Sequence, residues 1–132
     1  MTSEIFKNID VKEIQLPMTD FIFDIESKVL MSICYQCIKQ IEGLFPIEAG
    51  LIDNLLGHEH LKGIHVQQDS KQHAVIIKIE VSVIYGVSLP FKAEALQTLI
   101  VKEISELTGL HVGSVHVIFK NLVVKDGELI KI

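Results

Sequence analysis

Two long stretches of the chain place apolar residues at every third or fourth position, which is the period of an α-helix. The pattern predicts a first helix over residues 25–42 and a second over residues 91–108, each with one apolar and one polar side. Asp24 is the predicted N-cap of the first helix, and Gly43 and Gly109 are the predicted stops. Each helix therefore has one side to bury against another layer of structure.

Between the two helices the period changes to two, as expected for β-strands. Residues 63–68 and 73–85 predict a hairpin around the polar turn 69–72. Along the second of these strands, the odd-numbered residues are apolar or aromatic up to Tyr85 and share one face, while the even-numbered residues share the other. We expect both helices to cover the odd-numbered face.

Three further signals complete the predicted sheet. Residues 21–24 predict a short strand before the first helix, and residues 111–125 predict a long last strand with a bulge or close approach at Gly113. Asp126-Gly127 is typical of a two-residue hairpin, so residues 129–132 are predicted to fold back as an edge strand. The result is an α+β fold of order β-α-β-β-α-β, with two helices packed on one face of a mixed sheet, ferredoxin-like or a close variant.

The length of 132 residues fits one folded domain that needs neither metal nor disulfides to build its core. We expect residues 1–20 to form a loosely attached N-terminal arm, because their periodicity is weak and Pro17 interrupts them. Residues 21–125 are the predicted single α+β domain, and residues 126–132 are a C-terminal turn and tail. A connector with at most one helical turn is predicted over residues 46–57.

Composition narrows the classes of function. Apolar residues make up 48% of the chain and charged residues 22%, which excludes intrinsic disorder. The chain has 12 basic residues, all of them lysine, and 17 acidic residues. The resulting net charge of −5 disfavours binding to nucleic acid. The N-terminus has no signal-peptide core, and no apolar run is long enough to span a membrane. We therefore expect a cytoplasmic protein with no direct membrane insertion.

The even-numbered face of the sheet is the predicted functional surface. Ile76, Ile84, Ile118 and Leu122 are expected there among polar side chains, and such patches are often interfaces. Alternatively, the N-terminal arm or the C-terminal tail of the same chain covers this face. The predicted interaction surface, which includes the turn after the strand, comprises Ile76, Lys78, Glu80, Ile84, Tyr85, Gly86, His116 and Ile118.

Cys34-Tyr35-Gln36-Cys37 is the motif that most suggests catalysis. A redox Cys-x-x-Cys needs its first cysteine at a helix N-terminus, where the dipole stabilises a thiolate. This pair lies well inside the first predicted helix, so both thiols are predicted to be buried apolar groups. The alternative is a zinc- or thiol-dependent protein in which Cys34 and Cys37 join His58 and His60 in a tetrahedral site.

Other catalytic arrangements are missing from the sequence. The chain has no recognisable hydrolase triad and no phosphate-binding loop, and its sheet lacks the exposed aromatics and basic surface of an RNA-binding sheet. We therefore expect no enzymatic activity, no catalytic residue, no cofactor and no metal.

Five short motifs, in the right order, resemble the alkaline shock protein family of bacterial envelope stress proteins. They are Val29-Leu30, Ile41-Glu42-Gly43-Leu44, Ile84-Tyr85-Gly86-Val87-Ser88-Leu89-Pro90, Thr108-Gly109-Leu110-His111-Val112 and Val115-His116-Val117. The resemblance covers roughly residues 21–124. The chain departs from the family in its Cys-x-x-Cys, where the family usually has small residues such as alanine, and in its short tail.

This resemblance implies an abundant cytoplasmic stress-response protein, often held near the membrane by an anchor protein, with no established catalytic activity. With the predicted sheet face, it leads us to expect a non-enzymatic, envelope-associated scaffold that works by protein–protein interaction. Its expected partner is another protein, such as a membrane anchor protein, or further copies of the same chain in a homo-oligomer.

Overall fold

Two helices and five strands form the part of the chain that the structure describes. In this computed structural model, that part comprises residues 22–47, 62–71, 73–124 and 129–131. The helices are α1 (Ser27–Gln40) and α2 (Leu89–Thr108). The strands are β1 (Leu44–Pro46), β2 (Ile64–Asp69), β3 (Ala74–Ile84), β4 (His111–Val123) and β5 (Leu129–Lys131).

β3 is the central strand of the sheet. Along one edge it pairs antiparallel with β2 over residues 74–79 and with β1 over residues 81–83. Along its other edge it pairs with β4 in parallel over its whole length, and β5 adds antiparallel to the end of β4. The sheet is therefore mixed, with β1 and β2 sharing one edge of β3.

The odd-numbered face of β3 forms the floor of the core. Val75, Ile77, Ile79, Val81 and Val83 are each at most 2% exposed. Both helices pack on this floor; their buried side chains are Leu30, Cys34, Cys37 and Ile38 from α1 and Leu96, Ile100 and Ile104 from α2. Since a fully buried aliphatic side chain contributes about 1.5–3 kcal/mol, this layer dominates the stability of the fold. The α+β class and the predicted facing of these strand residues are confirmed.

Local capping explains where α2 begins and ends. It begins at Leu89, two residues before the predicted start, because the Ser88 hydroxyl accepts a hydrogen bond from the Phe91 N–H at 3.4 Å and Pro90 fits the first turn. It ends where predicted, at Gly109, whose φ of 77° is left-handed. In α1 the N-cap is Glu26 rather than the predicted Asp24, and its side chain makes no capping hydrogen bond.

The order of elements differs from the predicted β-α-β-β-α-β. Residues 22–24 form no strand, and Ile22 and Phe23 are 80% and 73% exposed, so no layer packs on them. Conversely, β1 forms between the predicted first helix and the predicted connector, where no strand was expected, because Leu44 pairs with Val83 and is buried. The described order is α-β-β-β-α-β-β, and a ferredoxin-like order is not confirmed.

Two irregularities in β4 determine which side chains reach which face. The predicted one at Gly113 is confirmed, since the pairing of β4 with β3 skips this residue. A second lies at Lys120, between the pairs Val81↔Phe119 and Ser82↔Asn121. It shifts the alternation by one residue, so Leu122 packs against the core. The prediction that Leu122 lies on the open face is therefore wrong.

The predicted fold-back after Asp126-Gly127 is confirmed, because β5 pairs with residues 121–123. The predicted N-terminal arm (residues 1–20) and all but the first two residues of the predicted connector (residues 46–57) lie outside the described residues. The domain boundaries stay predictions.

Gly43 offers a direct test of the packing between α1 and β3. Its φ is +88°, and an added Cβ would lie 3.0 Å from Cγ2 of Ile84. At Gly109, φ is +77°, but nothing lies within 4 Å of an added Cβ. Gly109→Ala should therefore cost only the left-handed backbone penalty of about 1–2 kcal/mol, whereas Gly43→Ala should cost at least about 1 kcal/mol more. Urea unfolding of the two variants measures the difference, and equal losses would contradict the close packing.

Candidate interaction surface

Six of the predicted surface residues lie together on the even-numbered face of the sheet. Register places Lys78 beside His116 and Glu80 beside Ile118 on the parallel strands β3 and β4. Ile76 is 40% exposed at one end of this group, and Ile84 is half-buried at the other. The face therefore combines aliphatic and ionisable side chains from two neighbouring strands. No helix of the described residues packs on it.

Polar contacts cross this face between β3 and β4. The Lys120 ammonium lies 3.7 Å from a carboxylate oxygen of Glu80, and 54% of the lysine side chain is exposed. Near the end of β3, the Asn121 amide donates a hydrogen bond to the Ser82 hydroxyl at 3.2 Å. Ser82 is buried. Asn121 reaches this face only because the irregularity at Lys120 shifts the alternation of β4 by one residue, whereas Lys120 is expected there from the alternation alone.

Tyr85 and Gly86 lie apart from that face, in the turn that follows β3. Tyr85 is 71% exposed, so its expected place on the core side of the sheet is wrong. The reason is that β3 ends at Ile84, and the alternation of a strand no longer applies beyond it. The Tyr85 N–H instead bonds the carbonyl of Val123 at 2.7 Å, which anchors the turn to β4.

This turn forms one wall of a groove of about 910 Å³ at the end of the sheet. The groove is lined mainly by apolar and aromatic residues, with the charged residues Lys39, Glu42 and Lys92. The Lys39 ammonium lies 5.3 Å from the centre of the Tyr35 ring, a cation–π contact. Sequence patterning missed the groove, because its walls come from three separate segments of the chain.

Two of the motifs behind the family resemblance meet at this groove. The first, Ile41-Glu42-Gly43-Leu44, ends α1 and begins β1; the second, around Tyr85-Gly86, ends β3. They are joined directly, since the N–H of Ile84 donates to the carbonyl of Gly43 at 2.9 Å. Motifs separated by about forty residues in the sequence thus form one structural unit.

The two thiols lie in the core, as predicted. Cys34 and Cys37 are free cysteines and are at most 1% exposed. Burial, and secondly the neighbouring Cys37, raises the pKa of the Cys34 thiol from 9.0 to about 12. Burial, and secondly the Glu103 carboxylate, raises the pKa of Cys37 to about 11. A reactive or zinc-binding cysteine needs the thiolate, which this environment disfavours.

The zinc hypothesis gains no support from the described residues. None of their Cys, His, Asp and Glu side chains form a group of three or more placed to hold a metal ion. His58 and His60 lie outside the described residues. No helix within the described ranges combines the length and apolar character that crossing a bilayer requires.

One comparison with known proteins gives a match. The family model of alkaline shock protein 23, described as having a cell envelope-related function, matches residues 15–124, which is 110 of the 132 residues. Searches of curated proteins and of solved structures give no match.

The buried thiols should react slowly in the native protein. At pH 8, an excess of thiol reagent should label both cysteines much more slowly than it labels an exposed thiol. The reason is that the thiolate is disfavoured and the sulfur atoms are inaccessible. In denaturant, two thiols per chain should react at once. Immediate native labelling would contradict their place in the core.

The same burial predicts a loss of stability at alkaline pH. Since the folded pKa values lie above 9.0, the folded state holds its thiol protons after the unfolded chain has released them. The thiols' contribution is complete below pH 9, and the free energy of unfolding should fall by about 1 kcal/mol per pH unit for each thiol between pH 9 and 11. Urea unfolding across this range checks the slope. The double variant Cys34→Ala, Cys37→Ala is the control, and an unchanged slope in it would refute the assignment.

Proposed function

The chain belongs to the alkaline shock protein 23 family, which has a cell envelope-related function, and from this premise we propose that it is a non-enzymatic scaffold of the envelope stress response. It acts through protein–protein contacts made by the even-numbered face of the sheet. The family membership supports the link to the envelope, and the sheet face supports the mode of action.

The observation that carries the proposal is an aliphatic side chain exposed on the central strand of the sheet. Ile76 is 40% exposed on β3, although the side chains on the opposite face of the same strand are buried. Ile118 continues the apolar surface on β4, beside Glu80. Covering such side chains contributes about 25 cal/mol for each Å² removed from water, so a partner gains binding energy here.

The ionisable side chains around these isoleucines suit the rim of an interface. Lys78, His116 and Lys120 are exposed, and Glu80 is partly exposed. The ion pair between Lys120 and Glu80 is largely in solvent and contributes about 0–1 kcal/mol, so it is easily exchanged for contacts with a partner. Mixed charge of this kind gives specificity rather than affinity.

The proposed partner is a protein at the membrane, such as an anchor protein, rather than the lipid surface itself. The chain carries a net charge of −5, which opposes binding to anionic lipids. In this proposal the protein is cytoplasmic, needs no cofactor and reaches the envelope through its partner. A homo-oligomer formed through the same face is the second form that the scaffold can take.

Two lysine substitutions test the sheet face against a matched control. Ile76→Lys and Ile118→Lys place a charge in the proposed interface, whereas Val101→Lys places the same charge on α2, where the valine is 42% exposed. We expect the first two variants to lose about tenfold in binding to membranes isolated from the native cell, since each removes about 1.4 kcal/mol or more. Val101→Lys should bind like the unchanged protein.

Co-sedimentation with these membranes measures the binding, and protease-treated membranes separate a protein partner from lipid. The proposal requires that protease treatment abolishes binding. Equal binding by all four proteins would refute the role of the sheet face, and binding to protease-treated membranes would refute the protein partner. Analytical ultracentrifugation of the same variants tests the homo-oligomer.

A further inference from the structure

The outer edge of β4 carries main-chain groups that no strand of the described residues pairs. One edge of β4 is bonded to β3 along its length, but β5 covers the other edge only at residues 121–123. Within the described part of the chain, residues 114–119 therefore have an unpaired outer edge between the irregularities at Gly113 and Lys120. Unpaired edges of this kind are templates for a further strand.

The hydrogen bonds show which residues point outward. The Val123 carbonyl faces β3, because it accepts from the Tyr85 N–H. Main-chain groups alternate between the two edges of a strand, and the irregularity at Lys120 reverses this alternation. The main-chain groups of Val115, Val117 and Phe119, which precede the irregularity, therefore lie on the outer edge. The Gln97 side chain of α2 donates to the Val115 carbonyl at 3.0 Å, which satisfies one of these outward groups.

The other strand edges of the described sheet have features that oppose pairing with a further strand. β1 is only three residues long and ends in Pro46, which has no N–H. β2 is rich in polar residues, and its Gln68 donates a side-chain hydrogen bond to the carbonyl of Ile25, in the segment that leads into α1. β5 is three residues long. Between its two irregularities the outer edge of β4 has no proline, and among the described residues the Val115 carbonyl is the main-chain group there that a side chain bonds.

The composition of this stretch also favours strand pairing. Residues 114–119 read Ser-Val-His-Val-Ile-Phe, with no proline, no glycine and no Lys, Asp or Glu. β-Branched and aromatic residues of this kind are the ones that pack best on a pleated surface. Val115, Val117 and Phe119 are half-buried, so each leaves apolar area for a neighbouring strand.

From these observations we propose that the outer edge of β4 binds an extended segment of another protein as an added strand, over residues 114–119. The segment is about six residues long and alternates β-branched or aromatic residues with polar ones. Main-chain hydrogen bonds to the Val115 N–H and to Val117 and Phe119 supply the binding, because Gln97 already bonds the Val115 carbonyl. The half-buried apolar side chains determine which segments bind best. This site is separate from the sheet face, because it uses the backbone of residues whose side chains point to the core side.

The geometry favours a short segment over a second copy of β4. β5 already occupies the position next to residues 121–123. The β4 strand of a second copy is thirteen residues long, and symmetric pairing centred on His116 or Val117 would place part of it where β5 lies. The described residues just before α1 do not reach this edge, since Ile25 bonds Gln68 of β2 at the other edge of the sheet. Any other segment of this chain is an outcome of the test below.

Residue-resolved amide exchange of the full chain tests the proposal. The probe is a capped peptide of alternating threonine and valine, and the control is the same peptide with every amide N-methylated. We expect the probe to slow exchange at Val115, Val117 and Phe119 by about fivefold, which corresponds to about 80% occupancy. Exchange at His116 and Ile118, whose N–H groups face β3, should not change.

A matched pair of variants removes or keeps one outward donor. Val117→Pro deletes the N–H that faces the added strand and should abolish the effect of the probe, whereas Val117→Ala keeps this N–H and should retain the effect. The slow amides of β3 report whether each variant is folded.

The proposal is refuted if the probe does not slow exchange, or if the N-methylated control slows it equally. Protection of the outward amides in the free protein at every concentration would also refute it, because the edge would then be covered by this chain. Protection that grows with protein concentration alone would refute it as well, because the edge would then bind a second copy. Because the sheet-face variants are measured separately, failure of either proposal leaves the other standing.

Discussion

The structure depends on the burial of one face of β3 beneath both helices. Five aliphatic side chains on this strand are dry, and the residues between them include Lys78 and Glu80. A slip of one residue in the register would move these charges into the core, at a cost of several kcal/mol for each unpaired ion. The register of β3 is therefore strongly specified, and the positions of the sheet face, the end groove and the β4 edge follow from it.

The sequence predicted correctly those features of the fold that a single short stretch of residues determines. Period-two patterning identified both faces of β3, and Asp126-Gly127 identified the fold-back of β5, because neither depends on distant residues. The strand β1 and the end groove were missed for the opposite reason. Leu44 becomes part of a strand only because Val83 and Ile84 lie beside it, and nothing near Leu44 in the sequence indicates this.

The candidate surface was predictable to the extent that strand alternation holds. It holds for Ile76, Lys78 and Glu80, and it fails where the strand is interrupted or ends. The irregularity at Lys120 sends Leu122 to the core, while the end of β3 leaves Tyr85 in a solvent-exposed turn. Glycine in a strand often marks a bulge, so the irregularity at Gly113 could be predicted. Lysine gives no such indication, so the position of Leu122 could not be predicted from the sequence.

The reactive thiols and the ionisable side chains of the sheet face lie in different environments. The thiols of Cys34 and Cys37 are in the core, where burial raises their pKa values, and the ionisable groups of the sheet face are in solvent. On β4, alternation further separates two means of recognition. His116 and Ile118 present side chains to the face, while Val115 and its outward neighbours present main-chain groups to the edge. In the two proposals β4 therefore contacts two partners at once, because the groups used for one are not those used for the other. The proposed scaffold role requires this property, since a scaffold holds one protein while it binds another.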